Sequence, residues 1–284
     1  MSSSLPRPEP LPDELAEPLG RAAGRLGPFA RQILWYPEVA STNDLAGALA
    51  ERGSPEGCVV AAHAQTAGRG RQGRSWLSPP GAGLYVSTVL RPAAHAVSLV
   101  TIAAGVAVAE GIQAATGLDP RVKWPNDVFL GERKVAGVLA EASSGLGIRD
   151  SGFGVRDSRS GGQVQYVVLG FGVNVLPAAY PPDIAARATS LEGEVGRAVD
   201  RGLLLAECLS HLAARYAELQ GGRADLVMRA WRARAGSTLG RRVSWDSAGG
   251  VRQGTAEDID DSGALLVRTE AGLVPVISGE VRWL

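Results

Sequence analysis

Apolar and polar positions along this chain switch between a two-residue and a helical period, and the switches mark its elements. Residues 32–39 read as a strand, and 58–64 form a nearly unbroken apolar run, which predicts a buried strand. Between them Ser41-Thr42-Asn43-Asp44 heads an Ala/Leu helix that stops near Gly53. Residues 83–90 form a strand of alternating character, and 94–116 a long, mostly apolar helix that belongs against a sheet. Residues 121–127 begin as a strand and break at Pro125. A hairpin follows, with 128–130 and 133–142 joined at Gly131-Glu132. Residues 165–175 are another strand. Gly170, Gly172 and Asn174 share one of its faces and leave room there for a ligand. Two amphipathic helices follow at 200–220 and 224–234.

From Gly236 the texture changes to five short strand-like runs, at 241–246, 251–258, 264–269, 272–277 and 279–284. Turn residues separate them, the pattern of a small β-barrel of about 50 residues. At the other end, residues 1–30 are rich in Pro, Ala, Glu and Arg and read as a flexible tail or weak helix, too short for a winged helix-turn-helix. The expected organisation is therefore a tail over 1–30, a catalytic or binding domain over 31–235 and a barrel over 236–284. One oddity interrupts the middle unit: residues 145–151 are nearly duplicated by 152–158. Two copies are too few for a solenoid, so 143–163 reads as a flexible hairpin insertion without a catalytic role.

Composition narrows the class. The chain has 284 residues, 45% hydrophobic and 20% charged, enough for a globular core. Its formal net charge of zero argues against a broad electrostatic grip on nucleic acid. Cys58 and Cys208 have no metal-ligand spacing and read as buried thiols of a reducing compartment. No secretory signal is visible, and the low-charge stretch 97–109 is too short to span a bilayer. A cytoplasmic protein without a membrane partner is the expectation. His63, His95 and His211 share no spacing that points to a histidine catalyst.

The densest chemistry lies at Gly68-Arg-Gly-Arg-Gln-Gly-Arg-Ser-Trp76. Its glycines let backbone approach a ligand, its arginines offer planar forks to carboxylate and phosphate oxygens, and Trp76 offers a flat face. A mobile loop closing over an anion with a planar group is the simplest reading. A solvated loop and an RG-type nucleic-acid segment use similar residues, although such segments usually repeat. A second signal is scarcity. Of 29 basic residues 27 are Arg, leaving only Lys123 and Lys134, and Asn occurs only at 43, 126 and 174. All five fall in candidate ligand-facing segments.

Ser41-Thr42-Asn43, Gln65 through Trp76, Lys123-Trp-Pro-Asn-Asp127, Lys134-Val-Ala-Gly-Val-Leu139 and Gly170-Phe-Gly-Val-Asn174 together resemble the motifs of biotin protein ligases, in the family's order. The resemblance runs from about Trp35 to the C-terminus. It implies an α+β catalytic domain akin to class II aminoacyl-tRNA synthetases, followed by an SH3-like β-barrel. It implies that biotin and MgATP form biotinyl-adenylate, which then acylates a lysine on the biotin carboxyl carrier protein of acetyl-CoA carboxylase or a related carboxylase. By the same resemblance, Ser41, Thr42, Asn43, Gln65, Gly68, Arg69, Arg71, Lys134 and Gly137 hold biotin. Arg71, Arg74, Trp76, Asn126, Lys134 and Asn174 hold ATP, and Arg71 and Lys134 are the catalytic pair. Asp127 is the expected Mg²⁺ contact, and Lys123 either touches phosphate or makes a structural ion pair. A lipoate–protein ligase of the same fold is the nearest alternative, and a biotin-sensing repressor the next. The short, Pro-rich start departs from the repressor pattern and implies a monofunctional enzyme without nucleic acid as partner, monomeric or homodimeric.

Overall fold

A computed structural model describes residues 5–143, 148–150, 164–178, 180–247, 250–277, 279 and 281–284. The elements in order are α1 (Asp13–Ala22), β1 (Gln32–Val39), α2 (Thr42–Glu51), β2 (Cys58–Gln65), β3 (Gly83–Leu90), α3 (Val100–Thr116), β4 (Arg121–Lys123), β5 (Asp127–Leu130), β6 (Arg133–Ser143), β7 (Ile148–Asp150) and β8 (Tyr166–Asn174). Then come α4 (Pro182–Ala185), α5 (Leu191–Val195), α6 (Arg201–Gln220), α7 (Ala224–Arg234) and five strands, β9 (Arg242–Ser247), β10 (Gly250–Ile259), β11 (Leu265–Thr269), β12 (Gly272–Val276) and β13 (Val281–Trp283).

The first sheet runs β1-β2-β3-β8-β6-β5-β4, with β7 added alongside β6. Only the β1–β2 pair is parallel; the others are antiparallel. Both faces are covered. Val59, Ala61, Leu84, Val86, Leu169 and Phe171 pack into the core that contains α3 and α6, while Val60, Ala62, Val89 and Val168 pack with Leu45, Ala46 and Ala50 of α2. This is why β3, expected to alternate, is buried at all eight of its positions. The near-duplicated 145–158 segment lies outside the described residues apart from β7, which pairs with β6.

Helices α3 and α6 approach very closely. A Cβ added at Gly111 would stand 2.6 Å from Cys208 Cα. Including a preceding 3-10 turn, Val97–Thr116 forms a 20-residue helical run that starts three residues later than expected and is apolar enough by composition to cross a membrane. It is the core helix, 67% buried, and its one acid, Glu110, is paired to Arg215 of α6.

The N-terminal segment differs from expectation. Residues 13–22 form a helix, α1, that lies on α6. Leu15, Leu19, Ala22 and Leu26 are all buried, a helical spacing that carries one face into the core, and Phe29 follows. The receptor surface is Gly202, where a Cβ would meet Glu14 O at 2.0 Å. Arg25 then binds Glu207 of α6 through two hydrogen bonds of 2.9 and 2.6 Å. The scarcity of large apolar residues suggested a tail or weak helix; their spacing makes it a docked helix.

The C-terminal strands form an antiparallel sheet of order β12-β11-β10-β9-β13. Several contacts join it, and the segment just before it, to the first sheet. The Trp124 indole donates to Gly263 O (2.9 Å), the Trp124 backbone N–H donates to Thr238 Oγ1 (3.1 Å), and the Trp283 ring lies tilted against Phe129 with ring centres 4.9 Å apart.

Candidate active site

Strand register builds the floor of a cleft. In antiparallel neighbours directly paired residues share a face. Gly137, Gly172 and Tyr85 form one row across β6, β8 and β3; Leu139, Gly170 and Ser87 form the next; Glu141, Val168 and Val89 the third. Two rows thus carry glycine where other sheets carry side chains. Those gaps are filled from above. A Cβ at Gly170 would lie 2.0 Å from Asn43 Oδ1, and one at Gly172 2.5 Å from Trp76 Nε1. The cleft over this floor is lined by the N-terminus of α2, the 69–76 loop, residues 123–127, Lys134 and, from the C-terminal sheet, Gly279 and Val281.

A β-bulge brings Lys134 to this face. In an unbroken strand, residues 134 and 137 would point to opposite sides. The β5–β6 register shifts between Val128 and Phe129, so Asp127 pairs with Gly137 but Phe129 with Lys134. Lys134 and Asp127 consequently lie on one side, with Nζ to Oδ1 at 2.7 Å and Nζ 5.2 Å from the Trp76 ring centre.

At the α2 end the lining is uncharged and already hydrogen-bonded. Ser41 caps α2 by accepting from Asp44 N. Gln65 Oε1 accepts from Thr42 N–H (2.8 Å) and lies 3.0 Å from Thr42 Oγ1, while Gln65 Nε2 donates to Ser78 Oγ (2.8 Å). Ser87 Oγ donates to Asn43 Oδ1 (2.6 Å) and touches Thr42 Oγ1 (2.8 Å). Such preset donors and acceptors suit a neutral ligand that has both.

The other end is cationic. There the lining holds Arg71, Arg74, Lys123 and Lys134 against one carboxylate, Asp127, whereas the charge of Arg69 is matched by Asp44 and Glu141. Arg71 Nη1 donates to Asn126 Oδ1 (3.2 Å), and Asn126 is itself fixed by donating to Val138 O (2.6 Å). The loop folds back on itself, with Gly70 N–H on Arg74 O (2.7 Å) and Trp76 N–H on Gly68 O (2.8 Å). Gln72 takes a left-handed conformation (φ 57°) at its tip, a backbone region that disfavours ordinary side chains. Arg69 ties the loop down through ion pairs with Asp44 of α2 and Glu141 of β6.

The cleft brings together most of the residues expected there: Ser41, Thr42, Asn43, Gln65, Arg69, Arg71, Arg74, Trp76, Asn126, Asp127, Lys134 and Gly137 all line it. Two expectations change in detail, and a third residue, Lys123, gains a contact not expected. Gly68 is not in the lining; it lets the loop close, since a Cβ would meet Trp76 O at 2.4 Å. Asn174 shares the glycine face, but it lies outside the lining and its amide donates to Thr189 O (3.0 Å). Lys123 Nζ lies 4.1 Å from the Trp283 ring centre and 5.5 Å from that of Phe129, a cation–π contact with the C-terminal sheet. Ser87 and Glu141 went unread, because neither residue type is scarce in this chain. As for a metal, Asp127 is engaged by Lys134, and the described residues contain no group of three or more His, Cys, Asp or Glu able to hold one.

Known proteins resemble this arrangement. The Biotin/lipoate A/B protein ligase family matches residues 36–148, and the Biotin protein ligase C terminal domain matches 238–282. A biotin–[acetyl-CoA-carboxylase] ligase of Paracoccus denitrificans is 37% identical over 78% of this chain and 88% of its own length. The bifunctional ligase/repressor BirA of Bacillus subtilis is 30% identical over 95% of this chain and 79% of its own. Among solved structures, the biotin protein ligase from Aquifex aeolicus in complex with biotin and ATP superposes with a TM-score of 0.73 at 28% identity, covering 89% of this chain and 99% of that one.

Proposed function

The chain belongs to the biotin protein ligases, and from that premise we propose how its cleft divides the work. The enzyme activates biotin with ATP to biotinyl-adenylate and passes the biotinyl group to a lysine on the biotin carboxyl carrier of acetyl-CoA carboxylase. The observation that carries the division is the polarity of the cleft: an uncharged, hydrogen-bonding end at α2 and a cationic end at Arg71 and Lys134.

Biotin offers a neutral ureido ring at one end and a carboxylate at the other. The ring belongs with Ser41, Thr42, Asn43, Gln65 and Ser87, which puts the carboxylate toward Lys134. There it attacks the α-phosphorus of ATP, forming the mixed anhydride as the bond to pyrophosphate breaks. Two unit charges at about 4 Å and an effective dielectric near 20 repel by roughly 4 kcal/mol, on the order of a thousandfold in rate. Arg71, oriented by Asn126, and Lys134, turned inward by the bulge, offset that repulsion. Arg74 and Trp76 lie on the nucleotide side. Mg²⁺ carried in with the triphosphate would offset its charge, and Asp127, the one carboxylate of the cleft lining, would be the side chain to meet it. In the second step the carrier's lysine amine attacks the acyl carbon and AMP leaves. The anhydride is open to hydrolysis, so a roof that excludes water raises the yield of transfer. The loop from Gly68 to Trp76 is that roof.

We take the C-terminal five-stranded sheet to be the small SH3-like barrel, on its strand number and antiparallel pairing. A cytoplasmic setting accords with two free, buried thiols, Cys58 and Cys208. The test is incubation with biotin, MgATP and a carrier domain, scoring mass gain on the carrier, with lipoate in parallel. Biotin transfer without lipoate transfer is expected; the reverse overturns the assignment.

A further inference from the structure

We propose that Glu141 is a positioning residue for biotin loading: it latches the loop roof to the ureido end of the cleft, so that filling one orders the other. This rests on the ligase reading above. Glu141 sits on the cleft face of β6, one row beyond Leu139 and Gly170. It is 2% exposed, yet it is an acid. A buried carboxylate persists when it is paired and hydrogen-bonded, and becomes unfavourable when either partner leaves.

Its two oxygens go in two directions. Oε2 accepts from Asn43 Nδ2 of α2 at 2.8 Å, and Oε1 accepts from Arg69 of the loop. The two partners differ in kind. Asn43 is buried, and its own Oδ1 is tied through Ser87 to Thr42 and Gln65, the residues given to the ureido ring. Arg69 is 40% exposed and sits on a loop whose backbone bonds are largely to itself. Lifting the loop takes the guanidinium away and leaves the carboxylate buried without that charge. The closed roof is thereby favoured, and it is favoured most when the Asn43 side of the network is held in place by ligand. Glu141 itself touches neither the carboxylate nor the phosphate; it acts through Arg69 and Asn43.

The experiment uses the full chain and follows biotin-dependent pyrophosphate exchange, together with escape of biotinyl-adenylate trapped by hydroxylamine in the absence of carrier. Glu141→Gln keeps the side chain's shape and an acceptor for Asn43 but removes the charge under Arg69. The expected result is a KM for biotin raised by about tenfold and adenylate escape faster by about tenfold, with kcat for exchange lowered by less than about threefold. Arg69→Gln should raise both by about as much, and the double variant should be no worse than either single, as expected of one shared contact. A Glu141→Gln enzyme with parental KM and escape rate overturns the latch, and so do two substitutions whose effects multiply. If Glu141→Gln does not fold, Arg69→Gln decides alone, since parental behaviour there is equally fatal. A parent chain that shows no exchange at all fails the ligase reading instead, so the two failures are distinguishable.

Discussion

Two largely buried acids in this molecule use similar chemistry for different ends. On the helical side, Glu110 of α3 accepts two hydrogen bonds from Arg215 of α6, at 3.0 and 2.7 Å, with His211 Nδ1 at 3.4 Å. Burial alone would push its pKa up, but the hydrogen bonds from His211 and Arg215 outweigh that and hold the carboxyl well down, at about 2. On the cleft side, Glu141 is paired with Arg69. The acids are comparably buried, at 10% and 2% side-chain exposure, but Arg215 is 20% exposed between packed helices whereas Arg69 is 40% exposed on a loop. An acid–arginine pair makes a fixed joint when both ends ride on packed helices. It makes a clasp when one end rides on a loop.

The strongest attack on this contrast is at the cationic end of the cleft. Lys134→Ala should lower pyrophosphate exchange on the order of a thousandfold with little change in thermal midpoint; near-parental exchange refutes its role. A pair of glycine substitutions comes next. Gly170→Ala forces a Cβ against Asn43 Oδ1 and should weaken biotin binding about a hundredfold, read by calorimetry. Gly111→Ala on the helical side forces a Cβ against Cys208 and should instead cost about 2 kcal/mol of stability in urea while sparing affinity. Equal behaviour of the two would erase the distinction between cleft and joint. Arg71→Gly should still form adenylate but release it about tenfold faster, labelling bystander lysines; adenylate retained as in the parent removes the loop's role as roof.

A gentler test uses pH. The folded pKa of Glu110, about 2, lies below its usual 4.5, so its contribution is fully present above about pH 4.5 and is lost as pH falls toward 2. Glu110→Gln should lower the urea midpoint near neutrality and flatten its fall between those limits, without altering exchange. A profile as steep as the parent's would assign acid sensitivity elsewhere. The smallest effect is expected from deleting residues 144–162. Ser143 and Tyr166 are paired, and Gln165 N–H donates to Ser143 O at 2.8 Å, so the strand ends already meet. Activity should stay within about twofold.

Much of the site was readable because this chain so rarely uses Lys and Asn. Four of its five such residues, Asn43, Lys123, Asn126 and Lys134, line the cleft. Scarcity could not expose Glu141 or Ser87, which belong to common types and became visible only when β3, β8 and β6 were laid in register. Nor could spacing explain how Lys134 and Gly137, three apart, serve one face, because that depends on a bulge set by pairing with β5. Most strands were bounded to within a residue or two, since apolar runs between turns specify them directly. The docking of α1 was not, because its seat is Gly202, far along the chain, and a pattern of apolar residues does not name its receptor. Asn174 taught the opposite lesson: its face was correct, but a neighbouring carbonyl claimed its amide.

The bond from the Trp124 indole to Gly263 O has a consequence for heredity. Trp124 lies in the segment that lines the cationic side of the cleft, and Gly263 lies in a turn of the C-terminal sheet, whose Val281 also lines that cleft. The two parts are therefore not interchangeable cartridges. Recombination that joined this catalytic sheet to a relative's C-terminal piece would have to bring a matching carbonyl, hydroxyl and aromatic ring, and natural chimaeras should break elsewhere than between Trp124 and its distant partners.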